Sequence, residues 1–184
     1  MLRFHGLIGA SLLGLCCSPL AFTAPAPAIE LRGQTFFATP PWKLRLITYS
    51  PYKDDVGPEY FFSIDVPQTA EVPLAALEIM QTGGFDRNLF YDSARTHAFL
   101  GVPRHGGSRV PVEVTIHEAT QVVRIVFPEP VQPGATVTVV LMPYRNPSQA
   151  DTYMFAVTAF PFGPNPVSNP VGMASLRIYE PSWR

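Results

Sequence analysis

Three histidines lie in the body of the chain, His97, His105 and His117. A transition-metal site would need at least two of them to converge with a carboxylate. No His-x-His or His-Glu-x-x-His spacing occurs, so they read as surface or turn residues, and no metal or cofactor is expected. Asp54-Asp55 with Glu59 could offer clustered carboxylate oxygens to calcium, but the spacing matches no calcium loop, and a solvated charged turn is the favoured reading. A Gly-x-Ser-x-Gly elbow is missing, and nothing in the spacing points to a serine nucleophile. No catalytic residue is therefore assigned.

Binding chemistry has better candidates. The segment Arg104 to Arg109, RHGGSR, is a glycine-rich basic loop that could hold an anion through its amides and the Arg104 and Arg109 guanidinium groups. It lacks the lysine-ended phosphate loop and a following helix, so a turn between strands is favoured. Arg145, beside Asn146-Pro147, has a planar fork that can hold neighbouring carbonyls or a carboxylate, a structural role preferred here to ligand binding. Trp42, Tyr49, Tyr52 and Trp183 fall outside the clean alternating runs, where exposed rings could stack on sugars or dock on a protein.

Those residues must be positioned by short strands. Eighteen of the 21 prolines follow residue 28, which forbids long helices and favours strands separated by turns. Tyr60, Phe62, Ile64 and Val66 alternate with Ser63 and Asp65, and the same pattern recurs at Val112 to Ile116, Val123 to Phe127 and Val137 to Leu141. Weaker strand signals run over Leu44 to Tyr49, Phe90 to Asp92, His97 to Leu100 and Ser175 to Tyr179. Val72 to Thr82 fits either a helix opened by Pro73 or a strand with Leu77 and Ile79 inward, and the strand is favoured. Tyr153 to Phe160 is apolar on both faces, as expected of a mid-sheet strand covered by a second sheet on one side and by loops or aromatic rings on the other. Asn146-Pro147-Ser148 leads into it, and Pro161 to Pro170 reads as a long loop to the last strand. The expected fold is an all-β antiparallel sandwich, immunoglobulin-like in general layout, with at most one short helix.

The first 28 residues have the order of an export signal: Arg3, an apolar run from Leu7 to Leu15, then small residues ending at Ala28. Cleavage there would leave residues 29–184 as a single domain, without disulfides, because Cys16 and Cys17 both lie in the leader. Lipidation at either cysteine is disfavoured, since Leu15 precedes Cys16 and Cys16 precedes Cys17 where a small residue is required. No later segment has the length and apolarity of a membrane span. Losing Arg3 leaves 12 basic against 14 acidic residues, a balance that argues against nonspecific nucleic-acid binding.

Several strings resemble one family. Pro133-Gly134-x-Thr136-Val137-Thr138-Val139, Pro143-x-Arg145-Asn146-Pro147 and Tyr153-x-Phe155-x-Val157-Thr158-Ala159-Phe160-Pro161-x-Gly163 are similar to the exported cyanobacterial domain of unknown function family 2808. So are Pro67-x-x-Ala70-x-x-Pro73-Leu74-x-x-Leu77-x-Ile79-x-Gln81 and Ile178-Tyr179. The resemblance implies a periplasmic, extracellular or thylakoid-lumen domain and carries no activity with it. The resulting expectation is a noncatalytic cell-envelope domain that binds or supports another envelope protein. The alternative is a carbohydrate-binding module using Trp42, Tyr49 and Tyr52; a metal-binding protein or hydrolase ranks lower.

Overall fold

In the computed structural model, residues 29–181 are described. The leader with Cys16 and Cys17, and Trp183, lie outside them. Strands β1 (Ile29–Leu31) and β2 (Gln34–Phe36) form a small hairpin. The remaining strands are β3 (Lys43–Ile47), β4 (Tyr60–Asp65), β5 (Leu74–Gly83), β6 (His97–Leu100), β7 (Arg109–Val110), β8 (Glu113–His117), β9 (Val122–Val131), β10 (Thr136–Leu141), β11 (Thr152–Pro161) and β12 (Asn169–Arg177). They build two five-stranded antiparallel sheets, ordered β3-β4-β10-β6-β7 and β12-β11-β5-β9-β8. A three-residue 3-10 turn, Gln68–Ala70, is the one helical element among the described residues, and no described helix is long and apolar enough to cross a membrane.

The inward half of each alternating pattern fills one core. Tyr60, Phe62 and Ile64 of β4 and Val137, Val139 and Leu141 of β10 meet Leu77 and Ile79 of β5, Ile125 and Phe127 of β9, and Tyr153 and Phe155 of β11. The Phe155 ring takes Phe62 and Tyr60 edge-on at 5.5 and 6.2 Å between centroids, so aromatic contacts bridge the two layers.

The ambiguous segment is a strand: β5 lies between β11 and β9 with Leu77 and Ile79 fully buried. Other expectations need correction. Phe90 to Asp92 is not a strand: Tyr91 makes a single bridge to Pro143, and the chain turns away directly after it, where the Thr96 amide donates to the Asp92 carbonyl at 3.0 Å. The loop after β11 is shorter than expected: β11 runs through Pro161 and β12 starts at Asn169, ending before Ile178. The outer face of β11 is not covered by loops or aromatic rings; Met154, Ala156, Thr158 and Phe160 stay half-exposed, and the guanidinium of Arg124 sits 4.5 Å from the Phe160 ring centroid. Hairpin β1–β2 and the two-residue β7 are too short to show periodicity.

Burial sets an alkaline limit on this core. Desolvation pushes the phenols of Tyr60 and Tyr91 well above their ordinary value, with neighbouring tyrosines adding to the effect at Tyr60. Above about pH 10 the unfolded chain releases these protons while the folded chain keeps them, so folding stability falls as pH rises. In urea titrations, stability should begin to decline near pH 10, with each of the two tyrosines adding at most about 1.4 kcal/mol per pH unit. Tyr91→Phe should flatten that decline; an unchanged slope in this variant would remove Tyr91 from the account.

Candidate functional site

Two regions gather the residues able to recognise a ligand. The first is the loop end beyond β3, β5 and β10, and it is organised around Asn146. This side chain is buried, accepts from the Tyr60 hydroxyl at 2.7 Å, and donates to the carbonyls of Ser50 and Tyr52 at 2.6 and 2.7 Å. Its own amide donates to the Asp55 carbonyl at 2.8 Å, and the Asp54 amide donates to Pro147 at 3.1 Å. A single carboxamide thus ties the 50–55 loop and the 143–148 loop to a core tyrosine.

Arg145 does not play the anchoring part expected of it. Its side chain is exposed and makes no hydrogen bond or ion pair among the described residues; the adjacent Asn146, shorter and able to donate and accept at once, takes that role. The backbone of Arg145 bridges Val56, the Gly57 amide donates to Tyr144 at 2.9 Å, and the Tyr144 amide donates to Phe90 at 3.0 Å. The result is a surface on which Val56, Phe85, Phe90 and Tyr144 are 75, 72, 71 and 58% exposed. A cleft of about 420 Å³ between Phe85–Phe90 and Tyr144–Ser148 runs through it. Gly84, at φ 113, makes this presentation possible, because a Cβ there would overlap the Tyr153 ring. Asp86 accepts from the Ser148 amide and hydroxyl at 2.6 and 3.0 Å, and Asp151 accepts from the Phe85 amide at 2.9 Å, which fixes the loops relative to one another. Tyr52 lies further round this end, bridged to Tyr179, with Lys53 paired to Glu180 at 2.7 Å.

The second region is the outer face of the first sheet. Phe61, Val140 and Met142 point away from the core and form a separate apolar cluster, with Ile47 and Phe99 packed on it. The β6–β7 loop folds over this face as a strap. Pro103 is the buried residue of this strap, and the Arg104 guanidinium stacks 4.0 Å from the Tyr49 ring centroid, while Tyr49 itself rests on Phe61 at 5.3 Å. The strap turns back through Gly106 at φ 64 and Gly107, where a Cβ would collide with the Leu100 carbonyl. A groove of about 420 Å³ remains, lined by Tyr49, Phe61, His97, Phe99, Arg104 and Arg109 among others. Tyr49, Arg104 and Arg109, which are distant in sequence, therefore share one site. Trp42 lines a neighbouring depression on the same face with Arg45, Ser63, Asp65 and Thr136, so Trp42, Tyr49 and Tyr52 stand in three different places.

The histidines remain apart from one another. His97 Nδ1 lies 2.9 Å from the Arg95 carbonyl and His105 Nδ1 lies 3.2 Å from the Pro103 carbonyl, while His117 ends β8. Among the described residues no three His, Cys, Asp or Glu side chains are grouped to hold a metal ion. Phe61, Phe85, Phe90, Phe99, Val140 and Tyr144 were not singled out by sequence. Phe61 and Val140 were nonetheless visible as apolar residues at outward positions of otherwise alternating strands.

A family model described as protein of unknown function (DUF2808) matches residues 34–178. No curated protein matches. Solved structures that are similar include BslA, a bacterial hydrophobin, at 14% identity and TM-score 0.46, covering 77% of this chain and 95% of that one. The major pilin subunit BcpA of Bacillus cereus aligns at 11% identity and TM-score 0.49, over 77% of this chain and 40% of the pilin. An uncharacterized Nocardia farcinica protein with an immunoglobulin-like fold aligns at 15% and 0.43, over 73% and 96%.

The Asn146 junction yields a direct stability test. Asn146→Ala strands the Tyr60 hydroxyl and two loop carbonyls and should cost roughly 2–4 kcal/mol in urea unfolding. Tyr60→Phe leaves only one amide oxygen unpaired and should cost about 1–2 kcal/mol. A loss below about 1 kcal/mol for Asn146→Ala would mean that the loops are held by something else.

Proposed function

Because the chain belongs to the DUF2808 family of proteins of unknown function, we propose from its own surface that it is an exported, noncatalytic cell-envelope domain that docks another envelope protein through its loop end. One observation carries this reading: four large apolar side chains, Val56, Phe85, Phe90 and Tyr144, stand more than half exposed on loops locked together by hydrogen bonds. Aromatic residues and arginine dominate the energetics of protein interfaces, and a pre-ordered surface loses little conformational freedom on association. Arg145, with its guanidinium uncommitted beside Tyr144, supplies a donor at the rim. Export rests on the leader: Arg3, the Leu7 to Leu15 run and the small residues ending at Ala28 support a mature start near Ile29.

A second reading has its own observation. Trp42 is 64% exposed and lines a depression with Arg45, Ser63, Asp65 and Thr136, a flat aromatic plate beside polar groups of the kind that suits a sugar ring.

Site-specific photocross-linking in intact cells tests the first reading. A benzophenone side chain at position 90 should capture a second envelope polypeptide, whereas one at position 173, on the second sheet, should not. Phe85→Ser with Val56→Ser should cut the yield at least about tenfold. Recovery of free monomer alone, or equal capture from both positions, would defeat the proposal, and a protein recovered with residues 1–28 attached would defeat its export component.

For the sugar reading, Trp42 fluorescence titrated with envelope polysaccharide fragments should change in a saturable way and the change should vanish in Trp42→Ala. A flat titration, with no binding by calorimetry, would end that reading.

A further inference from the structure

The outer face of the first sheet carries an anomaly that protein docking at the loop end does not use. A sheet face turned to solvent is expected to be polar, and at one end this one is: Lys43, Asp65 and Thr136 align across β3, β4 and β10. Further along the same strands it becomes an apolar floor of Ile47, Phe61, Val140 and Phe99. The strap from Gly101 to Ser108 covers much of that floor, leaving Val140 buried and Phe61 8% exposed, and a groove opens along its edge beside Phe99. It is secured by the Thr138 hydroxyl donating to the Gly101 carbonyl at 2.6 Å, by the Leu100 amide donating to Ser108 at 2.9 Å, and by Arg104 on Tyr49. The remaining groove, about 420 Å³, falls within the usual range of small-molecule sites, about 300–1,000 Å³.

Its electrical character is one-sided. Arg104 and Arg109 border the groove, and no aspartate or glutamate lines it. Stacking on Tyr49 engages the face of the Arg104 guanidinium and leaves its N–H edge able to donate, and neither arginine forms an ion pair among the described residues. His97 lines the groove with its Nδ1 turned to the Arg95 carbonyl at 2.9 Å, and the arginines are the groups that donate to a ligand. Phe61, Phe99 and Pro103 offer no side-chain donor or acceptor, which makes the floor unsuited to a sugar with hydroxyls around its ring.

We infer that this groove binds an anionic amphiphile, with an apolar chain lying along Phe99 and the exposed edge of Phe61 beside the strap and a carboxylate or phosphate head between Arg104 and Arg109. The two head groups share one chemistry, charge-assisted acceptance from a guanidinium fork, and could come from a free acyl chain or from a lipid phosphate. The apolar chain supplies most of the affinity through burial, and the arginines supply the preference for a charged head.

Calorimetry on the mature chain, with probes kept below their micelle concentrations, decides the matter. Dodecanoate or dodecyl phosphate should bind with one-to-one stoichiometry, at least tenfold tighter than dodecanol. Whichever anion binds tighter identifies the source, and either supports the inference. Arg109→Gln, which leaves the Arg104–Tyr49 stack in place, should weaken that preference while dodecanol binding stays the same, and Phe99→Ser should weaken all three ligands. Near-ultraviolet circular dichroism of each variant verifies that it is folded. Dodecanol binding as tightly as the anions, no binding of either anion, or an unchanged anion preference in Arg109→Gln would overturn the assignment.

Discussion

The carboxamide of Asn146 is the point at which an apolar sandwich becomes a surface with a defined shape. A buried amide left unpaired would cost more than most single contacts contribute, and here both ends are satisfied, by the Tyr60 hydroxyl from the core side and by the Ser50 and Tyr52 carbonyls from the loop side. Tyr60 is itself fixed by the Phe155 ring across the layers. Core packing therefore propagates, through one hydroxyl and one amide, into the position of loops that would otherwise be free to vary. The aromatic side chains at that end can stand exposed without collapsing onto each other because their backbones are already committed.

A second constraint comes from the pleat. Each strand offers alternate residues to opposite faces, so an apolar residue at an outward position must find cover or stay wet. Phe61 sits between Tyr60 and Phe62, both core residues, and is forced outward; Val140, between Val139 and Leu141, is forced outward beside it in register. The chain resolves this with Pro103 and the Arg104–Tyr49 stack rather than with a helix or a third layer. The ends of this roof are held by hydrogen bonds from Thr138 and Leu100, whereas its tip at Arg104 rests on a cation–π contact worth about 1 kcal/mol, weaker than the sheet beneath it. Opening the roof therefore costs far less than opening the sandwich, as access to a roofed groove requires.

Much of the fold was legible because period-two alternation is a direct imprint of a half-buried sheet. Tyr60 to Val66, Val123 to Phe127 and Val137 to Leu141 gave their strands from pattern alone, and Leu77 with Ile79 decided β5. Phe90 to Asp92 failed because pattern does not show how far a pairing will run, and the turn closed by the Thr96 amide on the Asp92 carbonyl stops this one at a single bridge. Arg145 was given the role that Asn146 holds, since charge draws the eye while a buried amide leaves no periodic trace. Tyr49, Arg104 and Arg109 could be nominated singly, yet nothing local reveals that the β6–β7 loop crosses β10 and β4 to reach the end of β3.

The two regions differ in the kind of recognition that their construction permits. At the loop end, the apolar groups project outward from backbones held by hydrogen bonds, so a partner must bring a concave, complementary surface, as folded proteins do. On the outer face of the first sheet the apolar groups lie flat and recessed under a strap, so the occupant must be thin, and its charge must lie at the arginine-bordered rim. The loop end depends on Asn146 and the groove on the Arg104–Tyr49 stack, and the two anchors are neighbours in the chain, because Asn146 holds the carbonyl of Ser50 and Tyr49 precedes it, so a change at one is felt at the other. On the two proposed readings the same chain holds a protein at its loop end and a small amphiphile in the groove, and the Tyr49-Ser50 link couples the two sites.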